Sequence, residues 1–361
     1  MSLEIIALEQ RGADWDEALA ELAPHQRDVF FTSPYLRVWE RHGDGQALGA
    51  VYRDRDGLVL YPFILRDLSR VDYLGSEFSG LHDMTSPVGY GGPLIPHKTR
   101  EETVAAFRTE MDAWCRETGV VSEFVRFHPF LETSLSMDYR LDVQEVGKTV
   151  WARLDQGGCA FVETLTGPAR RNIRHAREAG VTCGVETEDD AWERFAELYL
   201  DNALRRRALP QYRYDAAHFR TLRELLGAAA VLFGARHDGR LVAAALFLRS
   251  HDFVHFHALG ADREAARLRP TSPLFFEAMQ WACRTTATVV DLGGGYRGDD
   301  EFFRFKLGFA HQVAPRRIGS AIHLPEAYAR AERRRDEQGE IIDGHYFPSY
   351  RAPLPRDSLL G

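Results

Sequence analysis

Asp291-Leu-Gly-Gly-Gly-Tyr-Arg-Gly-Asp-Asp-Glu-Phe-Phe-Arg-Phe-Lys-Leu-Gly-Phe309 is the stretch from which the rest of the chain can be read. The apolar run 287–292 predicts a buried strand, and three glycines break it. An aromatic-rich segment carrying Lys306 follows. Lys98, Lys148 and Lys306 are the only lysines among 45 basic residues; the others are arginines. A lysine on a solvated face is the ordinary case. A lysine retained among aromatics beside a glycine turn is the other reading, and both stand at this point.

Upstream of that stretch, 231–236 and 241–248 are apolar runs around Asp238-Gly239, a strong hairpin signal. A run at 253–259 follows, and then a helix is expected from Ser272-Pro273 to about Thr285. The same order occurs earlier in the chain. Runs at 47–53 and 58–65 flank Asp56-Gly57, and a Gly- and Pro-rich stretch covers 79–96. A helix at 101–117 carries Val104, Phe107, Met111 and Trp114 at helical spacing, and a strand at 121–127 closes the series. Helices at 13–22 and 34–43, the latter capped by Ser33 before Pro34, precede the first hairpin. Helices at 167–178, 190–204 and 216–226 precede the second. A meander before a single crossover helix, occurring twice, predicts an α/β (α+β) chain of two similar units with mixed sheets flanked by helices. The expected boundaries are 1–150 and 151–325. A separate basic helix and tail would cover 326–361, with Arg330, Arg333, Arg334 and Arg335 and a loop 345–351 containing His345; the last few residues are expected to be disordered. No G-x-G-x-x-G follows a strand into a helix, which argues against a dinucleotide site.

The totals exclude several classes. With 53 acidic residues the net charge is −8, so the chain as a whole does not attract nucleic acid, and any polyanion needs a local basic patch. Cys115, Cys159, Cys183 and Cys283 are scattered without metal-ligand spacing, so no metal or disulfide framework is expected. The apolar runs are too short to span a bilayer, and no secretory signal is visible. A soluble cytoplasmic protein is the expectation. Nothing in the pattern fixes an oligomeric state.

Several stretches could carry chemistry. On helix 167–178, Arg170, Arg174 and Arg177 share one face, with Arg171 beside them, while Ala169, Ile173 and Ala176 line the core face. Clustered arginines fit a phosphate ligand or a solvated face with acidic partners. Arg205, Arg206 and Arg207 make a second cluster, and Arg316 and Arg317 add to the local charge. In the glycine-rich loop 86–93, Tyr90 and Gly91 could meet a polar substrate. Asp83 is a candidate acceptor for a substrate amine. Arg126-Phe-His-Pro129 ends a strand, and His257 ends another; His128 and His257 are each a general base or a hydrogen-bonded structural histidine. No serine lies in G-x-S-x-G and no cysteine has a triad context, so a covalent acyl-enzyme is not supported.

Taken together, these motifs resemble the FemABX-like branch of the GNAT acyltransferase superfamily. The resemblance rests on Thr85-Ser-Pro-Val-Gly-Tyr-Gly-Gly-Pro93, Arg126-Phe-His-Pro129, Arg171-Asn-Ile-Arg174 running on to Gly180-Val181, Asp291-Leu-Gly-Gly-Gly295, Phe305-Lys306-x-x-Phe309 and Pro348-Ser-Tyr-Arg351. It implies two tandem GNAT-like domains, the first on the acceptor side and the second on the donor side. It also implies transfer of an amino acid from aminoacyl-tRNA to an amine, of a peptidoglycan precursor or of a small molecule such as a natural product. A bacterial protein with no tightly bound cofactor is the expectation that goes with it. Phe305 and Lys306 match the family's Phe-Lys pair near the reacting ester, with Asp83 or His128 as candidate base. Tyr90, Gly91, Arg126, Tyr212, Gly294 and Tyr296 are the candidate substrate contacts. Arg170, Arg171, Arg174, Arg177 and 205–207 are the candidate tRNA contacts. Acyl-CoA is the alternative donor, and a non-catalytic binding protein on the same scaffold is a third reading. Against acyl-CoA, the place of the usual glycine-rich pyrophosphate loop reads Arg267-Leu-Arg-Pro-Thr-Ser-Pro273. The long heptad arm of some cross-bridge-forming relatives is also missing.

Overall fold

The chain begins with β1 (Ser2–Ala7), α1 (Leu8–Ala20) and α2 (Ser33–His42). The hairpin β2 (Gln46–Asp54) and β3 (Gly57–Asp67) follows, then β4 (His82–Thr85), α3 (Glu101–Glu117), β5 (Val120–Arg126) and β6 (Asp142–Arg153). The series then returns as α4 (Phe161–Thr164), α5 (Gly167–Glu178), β7 (Thr182–Glu186), α6 (Asp189–Arg205) and α7 (Ala216–Leu226). The second hairpin, β8 (Ala230–His237) and β9 (Arg240–Arg249), leads to β10 (Phe253–Ala261), α8 (Thr271–Ala282) and β11 (Val289–Gly293). Helix α9 (Glu301–Lys306), β12 (Gln312–Ile322) and α10 (Pro325–Asp336) complete the regular elements. This computed structural model describes residues 2–131, 134, 137, 140–154, 161–296, 298–339 and 346–354. Cys159, His345 and the expectation for the last few residues lie outside the described residues.

Residues 1–146 and 316–360 form one compact unit, and 147–315 form another. In the first, β1 to β4 are antiparallel neighbours in chain order, β4 pairs in parallel with β5, and β12 lies antiparallel on β5. In the second, β7 to β10 repeat the antiparallel meander, β11 is parallel to β10, and β6 lies antiparallel on β11. The mixed sheets and their repeated order are those read from the sequence. What the sequence did not reveal is that β6, which follows β5, pairs with β11 of the second unit, while β12, which follows β11, pairs with β5 of the first. The helix α10, expected as a separate segment, is built into the first unit. There Arg335 is fully buried and donates to the carbonyls of Ala352 (2.8 Å), Pro353 (2.6 Å) and Gly339 (2.9 Å), while Arg334 donates to Glu77. Arg335 is therefore a packing group, whereas Arg334 is exposed and held in a surface ion pair.

Local chemistry explains the boundaries that moved. Asp238 and Gly239 have φ of 50° and 77° and join His237 to Arg240 in a two-residue turn with both central residues left-handed. The Asp56-Gly57 pair behaves differently, because its turn is Arg55-Asp56, fastened by the Asp54 carboxylate accepting from the Asp56 N–H at 2.8 Å. Gly57 instead starts β3, where a Cβ would stand 2.5 Å from Thr99 Cγ2. Helix α2 is capped by Thr32, whose hydroxyl accepts from Tyr35 N–H; the expected cap, Ser33, donates to Asp16. Helix α8 begins at Thr271 without a side-chain cap. The first core packs Tyr61, Phe63, Phe107 and Met111 between sheet and α3; the second packs Phe233, Phe247, Phe275 and Met279 beneath α8.

Candidate functional site

The glycine turn and α9 bring the second unit's candidates together. Asp300 caps α9, accepting from the Phe303 N–H at 2.9 Å, so the helix starts at a fixed place and delivers Lys306 from its last turn. Lys306 is 2% exposed, which overturns the solvated-face reading. Its Nζ donates to the Gly294 carbonyl at 2.7 Å and stands 4.2 Å from the Phe302 ring centroid and 4.8 Å from that of Phe256. Aromatic faces favour a cation that has left water, and a carbonyl supplies a further partner. Phe305, one position earlier, lies in the aromatic packing: its ring meets Phe275 edge-on at 5.1 Å and Phe309 at 5.2 Å. It is a wall of the site rather than a reacting group.

From Phe302 the aromatic contacts run outward. Tyr296 stacks on Phe302 at 5.0 Å, and the Arg206 guanidinium covers the Tyr296 ring at 4.4 Å. Tyr296 is exposed, so this end of the ladder faces solvent. Close by, Tyr199 donates to the Tyr212 carbonyl at 2.8 Å and stacks on Tyr214. Burial pushes the Tyr199 phenol up, with the neighbouring Tyr296 and Tyr212 phenols adding to the shift. Lys306, Phe305, Gly294, Tyr296, Arg206 and Tyr212 thus belong to one region. Sequence reasoning missed Phe256, Phe302, Tyr199, Asp291 and Asp300 there. Phe302 had a signal, standing four residues before Lys306 on the same helical face; Phe256, on β10, had none.

Asp291 sits behind the turn, 2% exposed. Its Oδ1 accepts from the Thr149 hydroxyl and from the Gly293 N–H (2.9 Å), and its Oδ2 lies 3.2 Å from His255 Nδ1. Burial works to raise this carboxyl, yet His255, Thr149 and the Gly293 N–H hold it below the usual carboxylate value. His257, a candidate base, is pushed down to about 4 by burial and by His255, so it is neutral at pH 7 and a weak base.

The first unit's candidates have other tasks. Asp83, fully buried, is clamped by Arg66 (2.6 Å) and by Arg351. Burial alone would raise its carboxyl, but Arg351 and Arg66 bring it below the usual value, so it is poorly suited to accept a proton. The His128 ring is occupied at both nitrogens. Nε2 faces Asp28 Oδ2 at 2.8 Å, and Nδ1 accepts from the Phe130 N–H at 3.2 Å. Both ring nitrogens therefore have partners within the fold. Tyr90 is half-buried with its ring against Phe30 (5.3 Å) and His128 (5.2 Å). The Gly91 N–H donates to the Arg126 carbonyl at 2.7 Å, which fastens the glycine loop beside the end of β5. Arg126 lies over the Phe124 ring at 4.9 Å.

The arginine clusters divide. Arg170 donates to the carbonyls of Leu165, Val162 and Glu163, Arg177 pairs with Glu277, and Arg205 pairs with Asp201. These are structural or neutralised, so the shared face expected of Arg170, Arg174 and Arg177 is not a free phosphate face. Arg171, Arg174 and Arg207 are exposed, and among the described residues their guanidiniums have no hydrogen bond or ion pair. Ahead of α8, Arg269 takes a left-handed φ of 53° and donates to Asn172, while His175 meets the Arg267 carbonyl at 3.0 Å. These contacts tie 267–269 to α5, where a glycine-rich loop would present its backbone N–H groups.

The acetyltransferase (GNAT) domain profile matches residues 168–306, ending on Lys306. Among solved structures, FemX matches with a TM-score of 0.67 at 10% identity, over 91% of this chain and 99% of that one. A conserved protein of Bacteroides thetaiotaomicron VPI-5482 matches with a TM-score of 0.57 at 16% identity, over 89% and 99% of the two chains. L-PGS from Bacillus licheniformis matches with 0.53 at 12% identity, over 85% and 90%. No curated protein matches the chain in sequence. At these identities the likeness is one of fold. The chain has a GNAT-type fold and resembles the FemABX-like branch of that superfamily along most of its length. Among the described residues no helix is long and apolar enough to cross a membrane.

Proposed function

We propose that the protein is an N-acyltransferase that moves an aminoacyl group from aminoacyl-tRNA to the amine of a small molecule or peptidoglycan precursor. The observation that carries this reading is Lys306, a buried cation fixed against the Gly294 carbonyl in a FemX-like fold. Aminolysis of an ester passes through a tetrahedral oxyanion, and a fixed, desolvated ammonium stabilises that charge without forming a bond to it. The acceptor amine attacks the ester carbon, the amide forms, and the tRNA ribose oxygen leaves. Asp83 and His128 are both engaged elsewhere, so the proton lost by the amine passes to a substrate phosphate or to water. Tyr296 and Arg206 offer a stacking surface for a nucleobase of the tRNA end, and Arg171, Arg174 and Arg207 offer charge for its phosphates. The first unit, with Tyr90 and Arg126, takes the acceptor.

Acyl-CoA is the second reading, favoured by the GNAT profile match. The tied-down 267–269 segment counts against it. The deciding experiment offers a charged total-tRNA pool and labelled acetyl-CoA in parallel, each with pooled amine metabolites and cell-wall precursors. Product is expected from the tRNA arm alone, and mass analysis would identify acyl group and acceptor. Product from the CoA arm alone would overturn the tRNA reading. No transfer from either donor, with ligand binding retained, would establish the non-catalytic reading.

A further inference from the structure

Lys306 is held by a backbone oxygen, and a backbone oxygen is only as fixed as the turn that carries it. That turn begins where β11 leaves its sheet. His255 on β10 stands opposite Asp291, and the register with β6 slips between Asp291 and Gly293. Such a slip is a β-bulge, which re-aims the end of a strand. Gly293 follows with φ of 74°, and a Cβ there would lie 3.4 Å from Lys306 Nζ, so turn and ammonium are in direct contact.

The Asp291 carboxylate spans this junction. Thr149 on β6 and His255 on β10 anchor it to both neighbouring strands, and its Oδ1 also accepts from the Gly293 N–H. The far end of the same segment is pinned in a similar way, since Asp300 accepts from the Tyr296 N–H (2.8 Å) and the Phe303 N–H. A charged acceptor binds a backbone N–H more strongly than a neutral one. The Gly293 N–H is thus held on one side of the Gly294 carbonyl and the Tyr296 N–H on the other.

We propose that Asp291 is the positioning residue for Lys306: it fixes the Gly293-Gly294 turn to β6 and β10 and, through the Gly294 carbonyl, sets where the ammonium stands. The consequence for catalysis rests on the transfer reaction proposed above; the geometric claim does not, and it is tested without donor or acceptor. The chain has three lysines, of which Lys98 and Lys148 are exposed and Lys306 is buried. Acylation by a succinimidyl ester, followed by peptide mass spectrometry, reads all three in one sample, with Lys98 and Lys148 as internal standards. In the wild type Lys306 should label slowly. In Asp291→Ala it should label roughly tenfold faster relative to Lys98, because the turn opens locally. Asp291→Asn keeps an oxygen for the Gly293 N–H and should recover most of the protection. Phe233→Leu, a core truncation in the same unit, controls for general loss of stability. If Lys306 labels no faster in Asp291→Ala than in Phe233→Leu, the proposal falls. Should Asp291→Ala fail to fold, Thr149→Val removes one anchor of the carboxylate, and an unchanged Lys306 rate there overturns the proposal equally. In the transfer assay Asp291→Ala should lose about ten- to a hundredfold in kcat with little change in the acceptor KM. Faster labelling with intact transfer would uphold the positioning and overturn the role of Lys306. Lost transfer with unchanged labelling would overturn the positioning.

Discussion

Replacing Lys306 with alanine should lower aminoacyl transfer by roughly a hundred- to a thousandfold in kcat, the usual cost of removing one preorganised oxyanion donor. Donor and acceptor affinities should change far less, because the ammonium acts on charge that develops only in the transition state. Lys306→Met is the better-matched variant. It keeps an unbranched side chain among Phe256 and Phe302 while removing the charge, so a folded protein with lost turnover isolates the electrostatic part. Lys306→Arg should not rescue, since a planar guanidinium differs in shape and reach from an ammonium seated between two rings and the Gly294 carbonyl. Single-turnover rates with both substrates saturating decide the matter. Turnover in Lys306→Met within a few fold of wild type would remove the proposed role.

Much of the scaffold behind that lysine could be read from the sequence, for identifiable reasons. Apolar runs with Asp-Gly between them have few alternatives to a hairpin, and the amphipathic spacing of Val104, Phe107 and Met111 falls on a helix found over Glu101–Glu117. Among the strands that were missed, β7, β6 and β12 lack such a pattern. Thr182–Glu186 is a largely exposed sheet edge containing a glycine, β6 is exposed along much of its length, and β12 is half-buried along most of its own with no alternation. The exchange of β6 and β12 between units depends on pairings remote in sequence, Ile318 with Arg126 and Val289 with Arg153. The site was legible as a motif and illegible as an environment. Phe305 and Lys306 could be picked out, but the cage needs Phe256 on another strand. Asp83 and His128 looked like bases because their partners, Arg351 and Asp28, are far away in the chain. A titratable side chain is a base only if nothing else has claimed it, and claims at long range are what one sequence conceals.

A buried charge cluster in the first unit sets the second large expectation. Arg108 is 1% exposed and Glu123 fully buried. Arg108 grips both oxygens of Glu123, at 2.9 Å and 2.5 Å, and also reaches Asp112; Tyr61 donates to Glu123 at 2.8 Å, and His323 Nε2 lies 3.1 Å away. Removing one member leaves a charge in the core without its partner, at a cost of about 3–5 kcal/mol. Arg108→Met should therefore destabilise the protein by that amount in urea unfolding at neutral pH. The double variant Arg108→Met/Glu123→Leu should regain much of it, because the two charges no longer need each other. The acid response gives a second readout. Burial would raise the Glu123 carboxyl, but Arg108 and His323 hold it well below its ordinary value of 4.5. A carboxyl depressed by folding stabilises the native state above its unfolded pKa, and that stability drains away as pH falls below about 4.5. Wild type should lose stability steeply in that window, and the double variant, with neither charge, less so. Equal acid sensitivity in the two proteins, or a cost for Arg108→Met below about 1 kcal/mol, would mean that water reaches this cluster and the charges are not the buried pair their geometry describes.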